Sequence, residues 1–260
     1  MTAPSTEAHP TGQPDAGARS LAAVRVILCD ADGNLFPSEE PAFVASAEVT
    51  SRFLAEHGVT RRYDAEELRL ATTGMNFRST IAALAREHGI DLSGELEGWV
   101  QTERDEVTAY LRTALQPDPE VLGPLTELAS RYGVAAVSSS ADARIAACFE
   151  VTDMAGFFPA ERRFSAEDSL PRPTSKPDPA IYLHAMQALG ISADEGLAVE
   201  DSIAGATSAV AAGLPTVGNL QFVQPDERAA RHAALTEVGV LRVVTSWQEV
   251  VDLLDADHAG

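Results

Sequence analysis

Four polar clusters in this 260-residue chain carry residue types that can do chemistry. They are Asp30 with Asp32, the run Ser138-Ser139-Ser140, Thr174-Ser175-Lys176, and Glu200-Asp201-Ser202. Asp30 and Asp201 offer carboxylate oxygens to a hard cation that prefers oxygen ligands and keeps several waters, which fits Mg²⁺. A carboxylate is also a nucleophile able to form an aspartyl-phosphate. In that reading the metal and Lys176 neutralise charge on a transferring phosphoryl group. Ser138, with Ser139 beside it, and the amides at the following helix start hold the phosphoryl oxygens. Asp32, two residues past Asp30, reaches the ester oxygen as general acid and later deprotonates a water. Each cluster alone also has a plain structural use. Asp-Gly makes turns, serines and acidic residues cap helices, and a lone lysine is usually solvated. Chemistry is argued by their joint occurrence in this order.

The elements around the clusters decide whether they meet. Residues 24–29 read Val-Arg-Val-Ile-Leu-Cys, a short apolar run of the kind found in buried parallel strands. Further strands are expected at 134–137, 197–199, 215–217 and 241–244, alternating with helices over roughly 178–189, 203–212 and 226–238. Such alternation predicts an α/β fold, a doubly wound parallel sheet with helices on both faces. Residues 41–115 show only helical spacing, through Phe53, Leu54, Ile81, Leu84, Val107 and Leu111, with Gly58, Gly74 and Gly89 as helix stops. This predicts an all-α cap (41–115) inserted after the first strand of a core formed by 23–40 and 116–256, behind a disordered tail at 1–22. All four clusters then fall at the carboxyl ends of strands, where open parallel sheets bind ligands.

Composition excludes several functions. Lys plus Arg is 19 against 39 Asp plus Glu, a formal charge of −20 that repels nucleic acid and anionic lipid alike. A phosphorylated ligand therefore needs a metal or local cations to be held. Cys29 and Cys148 make neither a disulfide framework nor a four-ligand zinc site. The histidines, among them His88, His184 and His232, show no metal-ligand spacing. The first twenty residues lack the apolar stretch of a secretory signal, and nothing reaches the roughly 18 apolar residues of a membrane span, so a cytoplasmic protein is expected.

Over residues 24–254 the chain resembles the haloacid dehalogenase superfamily, in the group with a helical cap after the first strand. That group includes β-phosphoglucomutase, phosphoglycolate phosphatase and sugar-phosphate phosphatases. The first motif, Asp-x-Asp-Gly-Thr/Val, is similar to Asp30-Ala31-Asp32-Gly33-Asn34, with Asn34 in place of Thr or Val. The second corresponds to Val137-Ser138, trailed by Arg144-Ile145; the third to Lys176-Pro177-Asp178-Pro179, followed by Ile181-Tyr182; the fourth to Val199 through Gly205 without a mismatch. The resemblance implies a Rossmann-like core in which Asp30 is nucleophile and metal ligand. Asp32 is implied as acid/base and backbone-carbonyl ligand, Ser138 and Lys176 as phosphoryl-binding groups. The resemblance likewise implies that Asp201 completes a metal site, with Glu200 beside it in direct or indirect contact.

Asp32 separates branches of the superfamily, since its dehalogenases lack that residue. The absence of lysine from residues 41–115 argues against the phosphonate-cleaving members, which form a Schiff base there. Ser38-Glu39-Glu40-Pro41-Ala42-Phe43 lacks the His that the mutase pattern places after the first motif, which favours hydrolysis. Arg78 is either a substrate-selecting cap residue or an exposed arginine in a helix's first turn. The expectation is a Mg²⁺-dependent phosphatase of a small phosphorylated metabolite, a sugar or polyol phosphate, acting as monomer or homodimer. A phosphosugar mutase and, more remotely, a non-catalytic binding protein are the alternatives.

Overall fold

Six short strands, all parallel, build one sheet in a computed structural model that describes residues 21–72 and 75–258. The strands are β1 (Val26–Cys29), β2 (Gly133–Ser138), β3 (Arg163–Ser165), β4 (Gly196–Glu200), β5 (Thr216–Asn219) and β6 (Arg242–Val244), ordered β3-β2-β1-β4-β5-β6. The chain leaves β1 to one side through β2 and β3, then returns to its other side at β4. That reversal of strand order opens a crevice beside the end of β1. Cys29 pairs with Ala136 on one flank and Val199 on the other, so β1, β2 and β4 end almost level.

Buried faces explain the apolar runs. In β1 Ile27 and Cys29 enter one core layer with Leu197, Val199 and Val217, while Val26 and Leu28 enter the opposite layer with Ile181 and Tyr182. A strand covered on both faces has no polar side to show. Helices α5 (Pro119–Arg131), α6 (Asp142–Val151), α7 (Ala180–Leu189), α8 (Ile203–Ala211), α9 (Arg228–Val238) and α10 (Trp247–His258) connect or flank the strands. β3 is not expected from sequence. It has three residues and a single apolar one, Phe164, too little for any periodicity.

The inserted segment forms α1 (Glu39–Glu56), α2 (Ala65–Ala71), α3 (Phe77–His88) and α4 (Leu96–Ala114). α1 starts at Glu39 rather than 41, because Pro41 lies in its first turn, where backbone N–H groups have no helical partner to lose. Phe53, Leu54, Ile81 and Leu84 form a small core of their own, with Trp99 edge-on to Phe53 at 5.4 Å. The other face of α4 brings Val107 and Leu111 into the main core. Arg69 pairs with Glu227 at 2.9 Å, and Arg104 pairs with Glu167, joining the helical unit to the sheet unit at two further points.

One expected boundary needs adjustment. Leu21, placed in the expected tail, belongs to the packed core: it is buried and its N–H donates to the Asp257 carboxylate at 2.8 Å. The remainder of the expected tail, residues 1–20, and the helix stop at Gly74 lie outside the described residues. No helix among the described residues is long and apolar enough to cross a membrane.

Candidate active site

Lys176, the chain's only lysine, reaches the crevice from the loop between β3 and α7. Its Nζ donates to Asp30 Oδ1 at 2.5 Å, Glu200 Oε1 at 2.6 Å and the Val137 carbonyl at 2.7 Å, using all three of its protons. Asp30 follows β1, Val137 lies near the end of β2 and Glu200 ends β4, so one ammonium ties three strands together. Its side chain is 4% exposed.

One cation does not balance the acids here. Asp30, Glu200 and Asp201 are all buried and can place one oxygen each within 4.8 Å of one another. Glu200 Oε2 and Asp201 Oδ1 are buried without a hydrogen-bond partner. Burial pushes the Asp30 carboxyl far above the usual range, with Lys176 pulling the other way. Asp201 is driven up by burial and by Asp30 beside it. Orphaned carboxylate oxygens around an acidic pocket are the donor set of a hard divalent cation, and Mg²⁺ fits them. Bound there, such an ion favours the ionised forms that burial opposes.

Local sequence explains how the acids crowd together. Gly33 adopts φ +76°, and a Cβ on it would lie 2.5 Å from Asp201 Oδ2. Ser202 caps α8 by accepting from the Gly205 N–H at 3.0 Å. Gly205 itself faces Glu200, and a Cβ there would lie 1.8 Å from Glu200 Oε2. The run Glu200-Asp201-Ser202 through Gly205 thus supplies two acids, a cap and the space for one of the acids.

Asn34 is fully buried and bridges the same strand ends. Its amide donates to the Asp30 carbonyl at 2.9 Å and the Val199 carbonyl at 3.0 Å, and its Oδ1 accepts from Asn219 Nδ2 at 3.0 Å. A threonine hydroxyl, with one proton, cannot serve both carbonyls. Asn34→Ala leaves buried partners unsatisfied and is expected to lower unfolding free energy by about 2–4 kcal/mol, measured in urea.

Asp32 stands apart from the acidic trio. Its Oδ1 accepts from Ser38 Oγ at 2.6 Å and its Oδ2 from Ser140 Oγ at 2.7 Å, with Arg144 at 3.5 Å. Burial alone would raise its pKa. The Arg144 charge and the two hydroxyls outweigh burial and hold it below the usual range. Ser138 Oγ accepts from the Ser140 N–H at 3.0 Å, and Ser139 Oγ from the Lys176 N–H at 3.1 Å.

These groups floor a cavity of about 320 Å³, roofed by α1–α4. That is the size of a small-metabolite site. Asp30, Asp32, Ser138, Ser139, Lys176 and Asp201 all line it. Glu200 sits behind them, held by Lys176 and by the buried Tyr182 hydroxyl, which donates to it at 2.5 Å. Arg78 does not join the lining: it makes a two-pronged ion pair with Glu97 on the exposed side of the cap, 2.7 Å at its second contact. The exposed first-turn alternative is the arrangement found for Arg78. Sequence reasoning assigned no role to Ser38, Ser140, Arg144, Tyr182 or Glu103. Arg144 and Tyr182 lie beside expected motifs, yet only the fold aims them at Asp32 and Glu200.

The profile of the haloacid dehalogenase-like hydrolases matches residues 24–213. The chain belongs to this family. Among curated relatives, 6-phosphogluconate phosphatase of Escherichia coli (strain K12) is 27% identical over 194 residues, covering 75% of this chain and 81% of the relative. A haloacid dehalogenase-like protein of Agrobacterium tumefaciens str. C58 superposes with TM-score 0.67 and 25% identity, over 91% of this chain and 100% of that one. A hydrolase of the same family from Deinococcus radiodurans R1, crystallised with phosphate and sodium, gives TM-score 0.64 and 26% identity over 91% and 97%. The resemblance read from the four motifs therefore holds for this hydrolase, as does the parallel α/β core.

Proposed function

We propose that this hydrolase is a Mg²⁺-dependent phosphatase that acts on a small sugar or polyol phosphomonoester through an aspartyl-phosphate. The observation that carries the reading is the Lys176 ammonium clamped between Asp30 and Glu200 on the floor of a small cavity, with Asp32 held separately beside it. The likeness to a phosphatase supports it.

Asp30 Oδ attacks phosphorus as the ester P–O bond breaks, and Asp32 delivers a proton to the departing alcohol oxygen. Water then attacks the acyl-phosphate, Asp32 takes its proton, and phosphate leaves with Asp30 restored. The hydroxyls of Ser38 and Ser140 keep the Asp32 carboxyl aimed and favour the ionised form that accepts this proton in the second step, while the first step draws on the fraction of Asp32 that carries a proton. Ser138 holds the phosphoryl oxygens, and the Lys176 ammonium offsets their charge, its proton on Asp30 becoming free for them once Asp30 is esterified. Asp30, Asp201, the Asp32 carbonyl and Glu200 are the groups to hold Mg²⁺, which supplies charge neutralisation at the phosphoryl group.

Hydrolysis is favoured over isomerisation by the cap. Among the described residues, no cap cation lines this cavity to reseat a bisphosphate; the cap's Arg69 lines an adjoining cavity of about 430 Å³, where it is paired with Glu227. Phosphate release is measured from sugar, polyol and carboxylic-acid phosphates, with Mg²⁺ and with chelator. Release that needs the metal and concentrates on one or two substrates is expected. Conversion of a sugar 1-phosphate to its isomer without free phosphate would replace this reading with the mutase.

A further inference from the structure

Where α3 and α4 face the cavity, the cap presents a carboxylate and no cation to a substrate with a second anion. Its apolar lining is Phe43, Leu68, Met75 and Phe77, and α4 contributes one residue to the cavity, the carboxylate Glu103. Glu103 Oε1 accepts from Ser46 Oγ of α1 at 3.0 Å. Three arginines of the cap are committed to ion pairs, Arg69 with Glu227, Arg78 with Glu97 and Arg104 with Glu167, and none of them lines the cavity. Arg144, which reaches the cavity from α6, lies against Asp32 at 3.5 Å and within electrostatic reach of Glu103. Its single charge is therefore matched by carboxylates on both sides. Glu39, at the start of α1, adds a further acid to the lining, with Arg231 and Arg69 within electrostatic reach of it on the side of an adjoining cavity of about 430 Å³.

A carboxylate partly withdrawn from water accepts hydrogen bonds and repels anions, so it discriminates by what it rejects as much as by what it holds. We infer that Glu103 determines the substrate class, accepting hydroxyl donors of an uncharged polyol leaving group and rejecting one that ends in a carboxylate or second phosphate. This rests on the phosphatase reading of the cavity. It separates this hydrolase from its relative in one respect, since 6-phosphogluconate carries a terminal carboxylate.

Glucitol 6-phosphate and 6-phosphogluconate share one six-carbon polyol chain and differ in a terminal CH₂OH against COO⁻. Their Kd values are measured by calorimetry with Mg²⁺ on Asp30→Asn protein and on the Asp30→Asn/Glu103→Gln double variant. Glutamine keeps the volume and the acceptor for Ser46, so the cavity's shape is retained. Glucitol 6-phosphate is expected to bind at least about ten-fold tighter than 6-phosphogluconate where Glu103 is present. Once Glu103→Gln replaces the charge with a neutral amide, the two are expected to bind within about three-fold of each other. Equal or tighter binding of 6-phosphogluconate beside Glu103 would overturn the inference. So would a ratio that Glu103→Gln leaves unchanged, or a failure of glucitol 6-phosphate to bind. Turnover of p-nitrophenyl phosphate by the unaltered enzyme is followed separately: its absence sinks the phosphatase reading while the binding ratio still reports on Glu103.

Discussion

Asp30→Asn is expected to remove turnover, by at least about 10⁴-fold in kcat, while leaving the protein folded and no less stable. The loss follows from the chemistry, because an amide oxygen cannot form the acyl-phosphate that a carboxylate forms. The retained stability follows from the structure. Asp30 is a buried acid next to Glu200 and Asp201, and burial already drives its carboxyl towards the neutral form. Asparagine is isosteric, keeps an acceptor for Lys176 Nζ, and removes one of three crowded negative charges. Phosphate release and thermal unfolding on the same preparation make the check. Residual activity above about one part in 10³ would place the nucleophile elsewhere. Lost activity with a collapsed melting temperature would mean that Asp30 serves chiefly to hold the fold.

Gly205→Ala is the second large effect, and its sign runs against intrinsic propensity. In an exposed helix, Gly to Ala stabilises by about 1 kcal/mol. Here the added Cβ would lie 1.8 Å from Glu200 Oε2 and 2.3 Å from its carboxyl carbon. No real Cβ tolerates such contacts, so the Glu200 carboxyl must move. Its other oxygen is held by Lys176 at 2.6 Å and Tyr182 at 2.5 Å, so displacement breaks buried bonds to both. The expected result is a fall of about 10²–10³-fold in kcat/KM and of about 10–100-fold in Mg²⁺ affinity. Stability is expected to drop by about 2–4 kcal/mol. Activation curves against Mg²⁺ and urea unfolding test the two parts. A variant that matches the parent in both would show that the carboxyl has room to turn, and that the glycine is not required for space.

Both variants concern groups whose types are visible in the sequence, and the two differ in how far the sequence explains them. Asp30, Asp32 and Asp201 are legible because strand ends, short apolar runs and turn residues are local signals, and strand order then collects those ends on one edge, whereas Lys176 is marked only by its place just before a helix and is brought to that edge by the β3–α7 loop. The parallel α/β core and the helical insertion are legible for the same reason, since strand and helix each repeat over a few residues along the chain. β3 is not, having one apolar residue to announce it.

Gly205 as the space for Glu200, Asn34 as a bridge to a carbonyl 165 residues further along the chain, and Tyr182 as a donor to Glu200 are decided only by the tertiary structure. Each depends on a distance that folding sets between groups on different elements, and no local pattern encodes such a distance. The cap follows the same division. That residues near 41–115 are helical is written in their spacing; that Arg78 turns outward to Glu97 while Glu103 lines the cavity is set by how α3 and α4 pack. Chemistry, in this protein, follows from residue type at strand ends. The lining of the cap follows from packing, because turning a helix about its axis exchanges an inward carboxylate for an outward arginine.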